Sequence, residues 1–227
     1  MEDNNDFKAF QTEVRWFVKP DSNVQLQKGG VRLSGEFEDT FPKLTSLIKK
    51  ARVTFVDIED VRYLLFAWNT KENLICGWLN EIEDPETYFV EMISEHELLI
   101  RIIGGIREAF NQPANSFTNN QNFMFLGTES SRGIGDYDDY YETMCDDENC
   151  TPINFSDFVA FAEEANGSLS MYNPHNGNVL LFSHDHDFDC VEFMERQPQY
   201  TFHTFKGIDT FVDYVEELAA QWLNIIK

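Results

Sequence analysis

SLSMYNPHNGNVLLFS, Ser168–Ser183, sets two short apolar runs on either side of a loop of turn formers. Pro174 presets its own φ, Asn173 and Asn176 can bond their own backbone, and Gly177 tolerates a positive φ. Two strands joined so closely pair antiparallel. The stretch therefore predicts a hairpin, and with it an antiparallel sheet on which the flanking segments build.

Downstream, YTFHTF (200–205) alternates as another strand. Beyond it, Ile208, Phe211, Val212, Val215, Leu218, Ala219 and Trp222 recur at helical spacing, which predicts a final amphipathic helix packed on the sheet. Upstream, Phe155, Phe158, Val159, Ala162 and Ala165 make a helical stripe stopped by Asn166-Gly167, so NFSDFVAFAEEANG is expected to be a helix. SEHELLIRIIGG (94–105) is read as a helix with Ser94 as N-cap, Glu97 completing a capping box, and Gly104-Gly105 as its end. FMFLG, after an Asn-rich connection, is a short strand candidate.

The first part of the chain is strand-rich. RVTFVDI, RYLLFAW and NLICGWL are strand candidates, and VQLQKGGVRL alternates around Gly29-Gly30 as a hairpin would. FPKLTSLIKKA is the helix there, with Phe41, Leu44, Leu47 and Ile48 in register and Pro42 in its first turn. The fold class is α+β, mainly an antiparallel sheet with helices packed on one side. Residues 1–93, with one helix, are either part of the same domain as 94–227 or a separate module.

The 21 phenylalanines among 227 residues supply the buried area that offsets chain ordering, so the chain is globular. Against 17 Lys and Arg stand 40 Asp and Glu, a net charge of −23. This disfavours nucleic-acid phosphates as partners and favours association with a basic protein. The acidity is concentrated late: residues 1–95 carry 11 bases and 18 acids, residues 96–227 carry 6 and 22. No apolar run reaches the ~18 residues that span a bilayer, and the opening MEDNNDFKAF is acidic where a signal peptide is basic. A cytoplasmic location without a membrane partner is the expectation. The four cysteines are too sparse for a disulfide framework and are read as free thiols.

Two stretches invite chemistry. In SHDHDFDC (183–190), His184 and His186 would share one face of a strand and, with Asp189, could hold a metal for hydrolysis. The order is similar to the H-x-H-x-D-H run of metallo-β-lactamase-type hydrolases, but Phe188 stands where that run needs its aspartate. The alternative is the polar exit of a strand. Cys145 and Cys150 could add to such a set, although their spacing is looser than a C-x-x-C zinc loop.

The other stretch is DYDDYYETMCDDEN (136–149), which holds seven acids and no base. An EF-hand counted from Asp136 would need glycine at Tyr141 and glutamate at Asp147, so calcium is not indicated. It is read instead as an acidic segment, helical around Tyr140–Cys145, offering phosphate-like charge to a basic partner or simply a solvated face. The candidate partner-binding residues are Asp136, Asp138, Asp139, Tyr140, Tyr141 and Glu142, with Asp185, Asp187 and Asp189 as a second patch. No nucleophile elbow, P-loop or dinucleotide fingerprint is present, and neither an enzyme activity nor a cofactor is indicated.

FVAFAEEANGSLSMYN, GNVLLFSHDHDF and TFKGIDTFVDYVEELAAQWL together resemble the SUKH superfamily, over roughly residues 94–227. The resemblance implies an α+β fold and, in bacteria, an immunity protein that binds and neutralises a polymorphic toxin, often a nuclease. On it Gly167, Gly177 and Asp185 define the fold rather than catalyse. The first 93 residues depart from the family's pattern. The leading expectation is thus a non-enzymatic immunity-type protein. A metal-dependent hydrolase and a general interaction or regulatory module are the alternatives.

Overall fold

A computed structural model of the chain describes residues 4–185 and 189–227. In chain order the elements are α1 (Asn5–Glu13), β1 (Val24–Lys28), α2 (Gly35–Thr40), α3 (Pro42–Lys49), β2 (Arg52–Ile58), β3 (Val61–Asn69) and β4 (Ile75–Glu81). There follow α4 (Ser94–Ile103), β5 (Gly105–Phe110), β6 (Gln121–Met124), β7 (Ser131–Arg132), α5 (Asp138–Glu148) and β8 (Val159–Glu164). The chain ends with β9 (Leu169–Tyr172), β10 (Val179–Phe182), β11 (Val191–Phe193), β12 (Phe202–Phe205) and α6 (Phe211–Ile225).

Among the described residues the strands form a 12-stranded antiparallel sheet in the order β1-β2-β3-β4-β5-β6-β8-β9-β10-β12-β11, with β7 attached to β8. The hairpin expected from Ser168–Ser183 is β9–β10, in the register Val179↔Tyr172 to Phe182↔Leu169. Because β4 pairs with β5, the sheet runs unbroken past residue 93. The part before that point has three α-helices rather than the one expected.

The larger helical layer, α2, α3, α4 and α6, lies on one face, where Trp78 meets Trp68 and Trp222 edge-on and Trp68 meets Trp222 at a tilt, with centroids 5.2–5.5 Å apart. Burying side chains of this size is worth ~1.5–3 kcal/mol each. The opposite face is covered in two places: α1 packs Phe7 and Phe10 on Val56, Leu65 and Leu79, and α5 packs Tyr141 and Cys145 on Met171 and Phe182. α6 starts at the Thr210 capping box and leaves Ile208 just outside, buried before the helix begins.

Three local expectations change. NFSDFVAFAEEANG is not a helix: Val159, Ala160, Phe161 and Ala162 are all buried, with Ala160 facing the α5 side and its neighbours facing the main core. A strand covered on both faces reads as a continuous apolar run, which periodicity cannot tell from a helix. Asn166-Gly167 is instead the β8–β9 turn, with Gly167 at φ 88°.

Likewise, VQLQKGGVRL makes no local hairpin. Val24–Lys28 pairs with β2, from Val24↔Ile58 to Lys28↔Thr54, and Gly29 continues that pairing by donating to the Val53 carbonyl at 2.9 Å. At α4 no capping box forms: Ile93 is the cap residue, and Ser94 is already helical with its hydroxyl 3.0 Å from Glu95. Gly104 does end that helix, at φ 73°. The FMFLG strand begins earlier and stops at Met124, because Phe125 turns to φ 65°.

Candidate functional site

The acidic segment is α5, closed by Asn149 in the left-handed conformation. Tyr141 and Cys145, one turn apart, face the sheet and are buried, while Asp136, Asp138, Asp139, Glu142, Asp146, Asp147 and Glu148 are exposed. Asp138 and Asp139 in the first turn suit the positive end of the helix dipole. Asp146, Asp147 and Glu148 sit at its negative end with no base in the last turn, an arrangement that works against the helix. Folding does not account for these three carboxylates.

Tyr141, expected among the contact residues, is an anchor instead. Its ring meets Phe155 and Phe202 edge-on at 5.3 and 5.1 Å; its hydroxyl donates to Gln197 and accepts from the Ile153 amide at 2.8 Å. Burial raises its pKa strongly. With no exposed surface it cannot touch a partner.

Tyr140 is half-buried and donates to the Tyr200 carbonyl at 3.1 Å. Burial raises its pKa, and the charges of Glu148 and Asp185 add to the effect, because a phenolate beside carboxylates is repelled. That coupling places Asp185, of the second expected patch, on the same surface as the α5 carboxylates. His184 stacks on Tyr137 with centroids 4.5 Å apart, and the next residue, Asp185, is exposed and accepts from the Asn166 amide at 3.2 Å. Gly167 belongs to the same junction: a Cβ there would collide with the Tyr137 hydroxyl.

Asp189 stands elsewhere, just before β11 at the outer side of the sheet, where Lys206 Nζ donates to its carbonyl at 2.9 Å. Asp187 and His186 lie outside the described residues. Among the described residues no group of three or more His, Cys, Asp or Glu is placed to hold a metal ion. His184 is part of an aromatic stack, and Cys145 and Cys150 are free thiols, the first buried beneath α5. Burial raises the Cys145 pKa, the opposite of what a thiolate ligand needs.

Sequence reasoning did not pick out Asn166 as the residue that ties the β8–β9 turn to Asp185, or Tyr200 as the one whose carbonyl ties Tyr140 of α5 to the segment before β12. Neither has a local signal, since each acts through a partner at least 19 positions away. No family model, curated protein or solved structure matches the chain. No helix among the described residues is long and apolar enough to cross a membrane.

Proposed function

We propose that this protein is a cytoplasmic, non-enzymatic binding protein of the immunity type, which neutralises a basic protein toxin, a nuclease fitting best, by presenting the acidic face of α5. The observation that carries this reading is the row of exposed carboxylates on α5, three of them at the helix end where the dipole disfavours them. A rigid helix of fixed negative charge can occupy the groove in which a nuclease binds phosphates. Tyr141 supplies the rigidity, and Asp136, Asp138, Asp139, Glu142, Tyr140 and Asp185 supply the contact. The resemblance of residues 94–227 to SUKH immunity proteins supports the same reading.

The test reverses charge at three exposed positions, Asp138→Lys, Asp139→Lys and Glu142→Lys, and measures association with the basic product of a neighbouring reading frame. Association is expected to slow at least tenfold at low salt and to lose most of its salt dependence. Neutralisation by the triple variant equal to wild type overturns the assignment.

A further inference from the structure

The end of α5 brings together two thiols that the acidic face leaves without a role. The helix closes in a Schellman turn: Asn149 sits at φ 53°, its amide donates to the Asp146 carbonyl at 3.3 Å, and the Cys150 amide donates to the Cys145 carbonyl at 2.8 Å. In such a turn the residues joined by the outer of these bonds are the pair whose side chains meet. Here both are cysteines, and both pack on the core beneath α5. Standard bond lengths on either side of the 2.8 Å contact keep the two Cα atoms within about 6.7 Å. A disulfide spans roughly 4.4–6.8 Å between Cα atoms, so this turn can carry one without moving its backbone.

The chain beyond Cys150 is fixed before any bond forms. Gln197 donates to the Thr151 carbonyl at 3.1 Å, and the Ile153 amide donates to the Tyr141 hydroxyl at 2.8 Å, so the segment leaving α5 is held against the helix. The Cys145 thiol lies beside that same hydroxyl. The two thiols differ in access: Cys145 is buried, whereas Cys150 is half-buried with its Sγ 3.9 Å from the Glu148 carbonyl on the exposed side. Between them stand Asp146, Asp147 and Glu148, whose charges oppose the helix dipole and loosen this turn. A covalent bond across the turn offsets that loosening.

We infer that Cys145 and Cys150 form a reversible disulfide that clips the last turn of α5 when its surroundings become oxidising. Cys150, the accessible partner, attacks one sulfur of a low-molecular-weight disulfide as its thiolate and releases one small thiol. Cys145 then attacks the Cys150 sulfur of the mixed disulfide and releases the second. This step needs no access to solvent, only the contact between the two residues that the turn provides. Two protein thiols are oxidised, one small disulfide is reduced, and the two thiol protons leave with its two halves. Burial, which raises the Cys145 pKa, shields that thiol from the oxidant and leaves the first step to Cys150. In a reducing compartment such a bond is transient and reports redox state rather than building the fold. The inference concerns the free chain and does not rest on the toxin-binding reading.

Oxidised glutathione is the probe, applied to the full chain carrying Cys190→Ser, which removes the fully exposed thiol. After acid quenching, thiols are counted by maleimide alkylation of the denatured protein and mass spectrometry. The reduced protein has three, and the oxidised protein is expected to keep only Cys76, with a mass lower by two hydrogens, no retained glutathione and a peptide linking Cys145 to Cys150. Dithiothreitol is expected to restore all three. Adding Cys145→Ala, whose folding is checked by its thermal transition, is expected to leave glutathione on Cys150. Adding Cys150→Ser, which leaves the buried side of the turn intact, is expected to keep both remaining thiols and take up no glutathione. Amide exchange at Asn149 and at residue 150 is expected to slow roughly tenfold or more on oxidation, and not to change in the Cys150→Ser protein. Glutathione retained on Cys150 while Cys145 stays free, a link to Cys76, or no reaction overturns the disulfide. Equal exchange in the two redox forms overturns the clip.

Discussion

Replacing His96 with glutamine takes a titratable ring out of the core and is expected to flatten one part of the pH dependence of stability. His96 is fully buried on α4 among the rings of Phe125, Phe161, Tyr172 and Phe211. A carbonyl only accepts, so Nε2 carries the proton and donates to Phe125 O at 3.0 Å, which leaves Nδ1 to accept from the Tyr172 hydroxyl at 3.1 Å. The neutral ring is thus satisfied on both sides. A second proton would put a charge in an apolar site, and burial accordingly lowers the pKa from 6.5 to about 4, with the Phe125 carbonyl opposing in part. The folded state then binds fewer protons than the unfolded chain between these values. The stabilisation is complete above pH 6.5, declines as pH falls toward 4, and is lost below it. At ~1.4 kcal/mol per tenfold change in proton affinity, the loss is on the order of 3 kcal/mol in all and about 2 kcal/mol by pH 5. Urea unfolding of wild type and His96→Gln, followed by tryptophan fluorescence from pH 7.5 to 5, reads the difference between the two and so cancels the shared carboxylates. Wild type is expected to be more stable at pH 7.5, with its advantage shrinking by about 2 kcal/mol at pH 5. Parallel curves would refute the reasoning.

Three further perturbations probe the frame that holds the candidate face. Thr210→Ala removes the cap in which Thr210 Oγ1 accepts from the Asp213 amide at 3.2 Å; the expected cost is about 1 kcal/mol, seen as a Tm lower by ~3 °C. Tyr141→Phe deprives the Ile153 amide and Gln197 of their shared partner, which costs ~1–3 kcal/mol in urea unfolding and leaves association through α5 unchanged at a temperature where both proteins are folded. Gly77→Ala on β4 puts a Cβ against the Phe66 carbonyl and 2.7 Å from the Phe110 ring; backbone on one side and a packed ring on the other leave no room, and a loss of about 3 kcal/mol is expected by the same assay.

Much of the frame is legible in short segments because its signals are local. The β9–β10 hairpin follows from a loop of turn residues between apolar runs; α3 and α6 follow from 3.6-residue spacing, α3 with a proline at its start. The acidic character of α5 and the polar exit of β10 at His184–Asp185 are likewise written in adjacent residues.

What tertiary structure alone decided is which surfaces meet. Val159–Glu164 has a helical pattern by spacing, yet it is a strand because core lies on both of its faces, and burial on both sides erases the alternation that marks a strand. Gly29-Gly30 looks like a local hairpin turn, yet Gly29 carries on the pairing of β1, since β2, whose Val53 carbonyl lies 24 positions away, offered the partner. Tyr140 and Tyr141 are neighbours of one type, and only the seat of α5 on the sheet sends one to the rim and the other into the core. The same seating brings Asp185 beside α5 and leaves Asp189 at the far edge. Composition and local spacing determine which elements form; long-range pairing, whose free energy depends on partners distant in sequence, determines which face each side chain serves.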